Sequence, residues 1–412
     1  MAPMCAMVTA ALAVSVAAIV LRLQKASPVS PALIDYGPLP TTGVWTSDFS
    51  LRGMERFGVG CQGPEDIAFD KHGRLYAGCA DGWIKRAGAD GKFANFSFVG
   101  GRPLGLDIGG DPQVLYVADA ILGMFEVSLS DGVARSIGRT DDEGTIINFA
   151  DGVSIASDGS VYFTDVSSSF GWSNYTLDLL ESRPNGRLLK YDPVTKVISV
   201  VKRDMWFPNG VAISRDGEFA VIAETTRARL MRFWLKGENK GTMDVFLDGL
   251  PGFPDNVKHQ DGKFYVGIAG RRLPLTDWIF NSSFGVQLRS IIAQMTFIDI
   301  LAAGKTVGRL CVVDEQGQVL KKYEDPTGKL INEVTGGLRR LSTSSRVSGR
   351  HMMTEGIRNK EQIQLSINLS NSIKLRMKSS AAMILESDED QANNTVNLED
   401  NETTANHRLG IQ

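Results

Sequence analysis

The sequence predicts an all-β fold built as a propeller, and three observations carry that expectation. The first is an internal repeat: Gly63-Pro64-Glu65-Asp66-Ile67, Arg102-Pro103-Leu104-Gly105-Leu106, Phe149-Ala150-Asp151-Gly152-Val153, Phe207-Pro208-Asn209-Gly210-Val211 and Phe253-Pro254-Asp255-Asn256-Val257 share one pattern. The second is the spacing. With Glu65, Leu104, Asp151, Asn209 and Asp255 taken as equivalent, the steps are 39, 47, 58 and 46 residues, the range of a four-stranded blade. The third is the stretch after each copy, a polar Gly-containing turn and then an alternating apolar run, as in Ala156-Ser157-Asp158-Gly159-Ser160-Val161-Tyr162-Phe163-Thr164-Asp165. Each unit therefore reads as strand, hairpin, strand. At this repeat length a propeller of five or six blades occupies about 250 to 300 residues, which the segment 36–334 supplies.

Along the chain, Met4 to Leu21 is apolar and uncharged and is followed by Arg22 and Lys25. Its length falls between a long signal peptide and a short membrane span. Residues 1–26 thus read as a signal anchor that stays attached to a membrane or as a cleaved signal, with 27–35 as a linker. The body is punctuated by Asp/Gly turns such as Asp70-Lys71-His72-Gly73, Ser214-Arg215-Asp216-Gly217, His259-Gln260-Asp261-Gly262 and Asp314-Glu315-Gln316-Gly317. An insertion from Ser167 to Pro184 lengthens the third repeat and brings Phe170, Trp172 and Tyr175, which line a pocket at a channel mouth or pack over a blade edge. One segment, 286–302, has helical periodicity. Leu288, Ile291, Ile292, Met295 and Ile298 share a face opposite Gln287, Arg289, Gln294 and Asp299, so the helix caps the channel or lies on a membrane surface. From Thr335 to Gln412 there is no Phe, Trp or Tyr, and that tail is expected to be disordered.

Composition narrows the function. A net charge of -3 offers no basic footprint for nucleic acid, and neither a phosphate-cradling glycine loop nor a zinc-type cysteine spacing is present. Asn95, Asn174 and Asn281 begin glycosylation sequons in the body, with others at Asn368, Asn393 and Asn401. They point to the secretory pathway: the endoplasmic reticulum lumen, a vacuole or the cell exterior. Of the four cysteines, Cys61 and Cys79 flank a hairpin centred near Lys71-His72. In an oxidising lumen they pair; otherwise they are two buried thiols.

In a propeller the innermost strands border one axis, so equivalent positions converge. Glu65, Asp151, Asn209 and Asp255 then bring oxygen donors to one point, while Leu104 contributes an apolar wall. Buried carboxylates without a counterion are costly. Either a cation sits among them, and calcium is the hard ion that accepts mixed carboxylate and amide oxygens, or the column is a hydrogen-bonded plug of turn residues.

The set Gly63-Pro64-Glu65-Asp66, Gly101-Arg102-Pro103-Leu104-Gly105, Val161-Tyr162-Phe163-Thr164-Asp165, Phe207-Pro208-Asn209-Gly210-Val211, Ala223-Glu224-Thr225-Thr226-Arg227 and Pro254-Asp255-Asn256 resembles the plant strictosidine synthase-like family and the similar adipocyte plasma membrane-associated proteins. The resemblance implies a six-bladed propeller whose sixth blade is incomplete here, because the segment after Val334 diverges. It implies a secretory-pathway protein in a superfamily that includes calcium-dependent lactonases and arylesterases. The family's metal ligands fall on Glu65, Asp151, Asn209, Asp255 and Asn256, with Asp151 standing where the hydrolases usually carry asparagine. The hydrolases place a histidine where this chain has Leu104. The synthase uses a last-blade glutamate, and that position falls near Thr335. The expected activity is metal-assisted ester or lactone hydrolysis of a small organic molecule. The alternative is a non-catalytic binding propeller with a structural ion; strictosidine-forming condensation is disfavoured because its acid is not found.

Overall fold

The computed structural model describes residues 14–15, 18, 21–51, 60–88, 90–110, 113–295, 308–327, 334–339 and 363–366. Short apolar strands separated by Asp/Gly turns pair antiparallel into five four-stranded sheets among these residues. The first blade holds β1 (Ile67–Phe69), β2 (Leu75–Gly78), β3 (Trp83–Ala87) and β4 (Phe93–Phe98). The second holds β5 (Pro103–Gly109), β6 (Val114–Asp119), β7 (Gly123–Ser128) and β8 (Ala134–Gly138). The third is β9 (Ala150–Ile155), β10 (Val161–Asp165), β11 (Gly186–Asp192) and β12 (Val197–Met205). The fourth is β13 (Pro208–Ile213), β14 (Phe219–Glu224), β15 (Arg229–Trp234) and β16 (Met243–Leu247). The fifth is β17 (Gly252–Gln260), β18 (Lys263–Arg271), β19 (Gly308–Asp314) and β20 (Val319–Asp325).

Successive sheets pack face to face, and each interface is an apolar cluster drawn from two blades. Tyr76 and Ile84 meet Leu106 and Val117; Tyr116 and Met124 meet Phe163 and Leu189; Leu188 meets Ile213 and Ile222; Phe219 meets Phe264 and Cys311. A strand covered on both faces has no solvent side to alternate with, which is why β13 and β14 are buried throughout.

The glycine that follows three of the column residues, Leu104, Asp151 and Asn209, has a packing reason. A Cβ on Gly152 would lie 2.5 Å from the carbonyl oxygen of Asn209, one on Gly210 would lie 2.6 Å from Cα of Asn256, and one on Gly105 would overlap the Asp151 carbonyl. The inner strands of the second to fifth blades therefore touch backbone to backbone, a spacing no side chain larger than hydrogen permits.

The sixth blade expected from the resemblance is corrected to five. After β20 the described chain supplies only β21 (Gly336–Arg339) and β22 (Ile363–Ser366), a two-stranded ribbon. The residues from Thr335 onward lack the alternating aromatic and β-branched runs that four strands require. β21 packs against β17, β18 and β1, and the strand entry bridges the gap. The Asn256 amide donates to the Thr335 carbonyl at 2.8 Å, and the Thr335 hydroxyl donates to the Glu65 carbonyl at 2.6 Å.

The signal or anchor helix is likewise not shown. Most of Met4 to Leu21 lies outside the described residues, and among those described no helix is long and apolar enough to cross a membrane. Within the body the helix expected over 286–302 is Ser283–Ile292, started by Ser282, whose hydroxyl accepts from the Gly285 amide at 3.0 Å; 296–302 falls outside the described residues. Two further helices, Tyr175–Glu181 and Pro274–Phe280, are seven residues each, two turns, too short to print a period on the sequence. Cys61 and Cys79 form a disulfide with Cα atoms 5.5 Å apart, and Cys311 is a buried free thiol. Apart from 335–339 and 363–366, the tail lies outside the described residues.

Replacing Gly210 by alanine forces a methyl group into the fifth blade's inner backbone, an overpacking expected to cost about 1–3 kcal/mol or more. The Gly171→Ala control, whose nearest neighbour would be Asn148 at 3.4 Å, should unfold in denaturant close to the wild type. Equal midpoints for the two variants would contradict the close approach.

Candidate functional site

Four of the five inner strands carry at or beside their start a polar residue that the convergence of blades buries. Glu65 precedes β1 and is 5% exposed; Asp151 in β9, Asn209 in β13 and Asp255 in β17 are 3%, 7% and 6% exposed. The glycine contacts between neighbouring inner strands, and the Thr335 bridge from Asn256 to Glu65, set these residues around one axis. Leu104 takes the second-blade position and Thr335 the place between the fifth blade and the first. Asn256 points its amide at Glu65, donating to Oε1 at 2.9 Å, so it orients that carboxylate.

The electrostatics follow from burial. Desolvation pushes the Glu65 carboxyl well above the usual carboxylate range, Asp255, Asp151 and Asp66 push it further, and the Asn256 hydrogen bond pulls it back. Asp151 is raised to about 7, first by burial and then by Asp66, against the opposing charge of Arg102. Among the described residues, Asp151 Oδ1 and Asn209 Oδ1 are buried here with no hydrogen-bond partner. Arg102, 4% exposed, donates from Nη1 to the Gly63 carbonyl at 2.9 Å. Burial lowers its proton affinity while Glu65, Asp151 and Asp119 sustain it.

A second tier lies along the same strands. Lys258 Nζ stands 2.6 Å from Asp66 Oδ2 and also donates to the Leu106 carbonyl. Burial disfavours its charge, but Asp66 and Asp107 more than compensate and hold the ammonium protonated. The Asp66 carboxylate also accepts the amides of Ile67 and Leu106, both at 2.8 Å. This tier carries its own cation.

An apolar wall rises beside the ring. Leu104, Phe149, Phe207 and Val166 are buried together, with Trp172, Tyr175 and Leu179 packed against them. Trp172 meets Phe149 edge-on at 5.7 Å and stacks on Tyr175 at 5.4 Å; the Arg102 guanidinium lies 5.4 Å from the Trp172 ring centre. Phe207 has a left-handed backbone, φ 49°, uncommon for a bulky residue and more so before proline; this is local strain at the site. Of the four aromatic-pocket candidates, Leu104, Trp172 and Tyr175 come together, whereas Phe170 is half-buried, its amide on Ser167 Oγ at 3.1 Å, outside that cluster. A separate cleft of about 160 Å³ lies on the flank of the fifth blade by Trp45, Arg309 and Glu324, away from the ring. Asn95, Asn174 and Asn281 are exposed, and Asn368, Asn393 and Asn401 lie outside the described residues.

The repeat pattern does not mark Arg102, Lys258, Asp66, Asp107 or Thr335 for these roles in the ring and the tier. Arg102 and Lys258 occur in one repeat each, so no column of like residues points to them; the faint signal is a lone cation in an otherwise apolar or acidic repeat.

A cation of calcium type fits the donor chemistry of the ring. The ligands are hard oxygens, three of them carboxylates, and the orphaned oxygens of Asp151 and Asn209 are what an ion would take up. Among the described residues, no three His, Cys, Asp or Glu side chains are already drawn together as a chelate.

Known proteins agree with the residue-level resemblance. Residues 151–238 match the strictosidine synthase family model and 43–87 the strictosidine synthase-like N-terminal model. Strictosidine synthase-like protein 6 of Arabidopsis thaliana is 37% identical over 297 residues, covering 70% of this chain and 77% of that protein. The adipocyte plasma membrane-associated protein of Danio rerio is 32% identical over 329 residues, covering 73% and 77%. Among solved structures, a gluconolactonase of Xanthomonas campestris superposes with a TM-score of 0.46 at 15% identity, over 65% of this chain and 77% of that one.

With its folded-state carboxyl raised to about 7, Asp151 binds a proton that the unfolded chain releases at the ordinary aspartate value. Its contribution is fully present below that value, falls as pH rises through the window up to about 7, and is lost above it. In chelator, the wild type should therefore melt several degrees lower at pH 8 than at pH 5, Asp151→Asn should flatten that difference, and calcium should restore the wild type at pH 8. A wild-type melting temperature that rises across this window, or an unchanged slope in Asp151→Asn, would contradict this assignment.

Proposed function

Because the chain belongs to the strictosidine synthase-like family and gathers acidic and amide side chains at its inner strands, we propose that it is a metal-assisted hydrolase of esters or lactones of small organic molecules, working in the secretory pathway. The observation that carries this reading is the buried ring of Glu65, Asp151, Asn209 and Asp255, with oxygens on Asp151 and Asn209 that have no partner among the described residues. These four residues would hold a calcium-type ion, and Asn256 keeps Glu65 turned toward the axis. Such an ion supplies carbonyl polarisation and a more acidic bound water.

The remaining work falls to the chain itself. Leu104, Phe149, Phe207 and Trp172 form the wall against which an apolar acyl or aryl group packs, and they keep bulk water from the ring. Arg102 places a fixed positive charge beside Glu65 and Asp151, where it favours negative charge developing on a bound carbonyl. The exposed sequons and the Cys61–Cys79 disulfide support an oxidising, glycosylating compartment.

A second reading, a non-catalytic binding propeller with a structural ion, is favoured by two positions. Leu104 cannot take a proton from water, and the Thr335 hydroxyl is committed to the Glu65 carbonyl. The same threonine disfavours condensation, which needs an acid there.

Screening aryl esters, lactones, and tryptamine with secologanin against the full chain, with calcium and with chelator, separates these readings. Hydrolysis predicts calcium-dependent ester or lactone turnover that falls at least about a hundredfold in Asp255→Ala. Stabilisation by calcium with no turnover of any substrate would replace it with the binding reading.

A further inference from the structure

The helix Ser283–Ile292 buries the side chain that its sequence periodicity assigns to solvent. Arg289 is 0% exposed, while Phe284 on the same helix is 58% exposed. Its Nη1 donates to the Leu180 carbonyl at 2.8 Å and its Nη2 to the Ala32 carbonyl, and the guanidinium lies 4.4 Å from the Phe280 ring centre. Carbonyl dipoles and a ring face do not cancel a full charge, and a buried charge is ordinarily paired. Among the described residues no carboxylate pairs with it: neighbouring Asp277 is taken by Arg272 at 2.9 Å and Glu224 by Arg229 at 2.6 Å.

Two more donors share this corner. Among the described residues, Tyr36 Oη and Arg227 Nε are buried without a hydrogen-bond partner, as is Arg289 Nε. Burial raises the proton affinity of the Tyr36 hydroxyl; Arg289, Arg272 and Arg227 are close enough to draw it down, against Asp277, which the Arg272 guanidinium pairs. The Arg227 guanidinium sits 5.1 Å from the Trp206 ring centre and forms no ion pair among the described residues. Arginine can only donate, so the corner gathers surplus donors and surplus positive charge. A water molecule would satisfy the donors and leave the charge.

We propose that Tyr36, Arg227 and Arg289 form a binding site for a compact oxyanion, either the carboxylate of a small organic acid or inorganic phosphate. The site adjoins the axial ring: Phe253, which packs edge-on against Tyr36 at 6.1 Å, leads directly into Pro254 and Asp255, and the Thr225 hydroxyl donates to the Pro254 carbonyl at 2.7 Å. It requires neither a metal ion nor turnover, so it stands apart from the hydrolytic reading.

The test is calorimetric titration of the full chain in calcium-free buffer with benzoate, with inorganic phosphate and with neutral benzamide. Saturable binding of at least one anion is expected, weakened at least about tenfold in Arg227→Gln and in Tyr36→Phe, the loss of one charge-assisted hydrogen bond. Tighter benzoate assigns the organic carboxylate, and tighter phosphate assigns the inorganic ion. Half-buried Arg227 and the single hydroxyl removed from Tyr36 make variants that retain the fold, unlike the fully buried Arg289. Benzamide binding as tightly as benzoate, no saturable binding of either anion, or full affinity in both variants would overturn the proposal.

Discussion

The constraint on which the rest of the molecule depends is the burial of like charges around one axis. Five inner strands converge, and burial together with the charges of Asp255, Asp151 and Asp66 disfavours ionisation of Glu65, while burial and Asp66 disfavour that of Asp151. Much of the surrounding chemistry answers that repulsion. Arg102 is drawn in from the second blade, Asn256 turns its amide toward Glu65, and Lys258 neutralises the next tier through Asp66. The glycines at 105, 152 and 210 are the steric side of the same arrangement, since without them the strands could not come near enough for the acids to interact.

Most of the scaffold was legible in the sequence because a propeller repeats. A turn motif at near-constant spacing names the inner strand of each blade, and the residue at its start names the axis. Blade number was not fixed by that route. The motif is absent after Val334, so the last sector is closed by contacts among Asn256, Thr335 and Glu65, whose residue types carry no repeat signal. The helices at Tyr175–Glu181 and Pro274–Phe280 were hidden for a simpler reason, that two turns hold too few residues to show a period.

Arg289 shows where pattern reasoning misleads. Hydrophobic periodicity puts it outward, yet the structure seats it inward beneath the segment around Ala32. Burial of a cation against the amphipathic pattern is a departure that sequences ordinarily retain at binding sites rather than in packing cores. Phe253, which packs on Tyr36 in this corner, is two residues from Asp255 of the ring in the same strand, so the two features are joined through β17.

The most direct test of the axial ring is a crystal structure grown with excess calcium, with the anomalous signal used to locate the ion. One peak is expected on the axis, about 2.3–2.6 Å from oxygens of Glu65, Asp151, Asn209 and Asp255. A peak bound elsewhere, or these four side chains hydrogen-bonded to water with no ion between them at saturating calcium, would contradict the axial site.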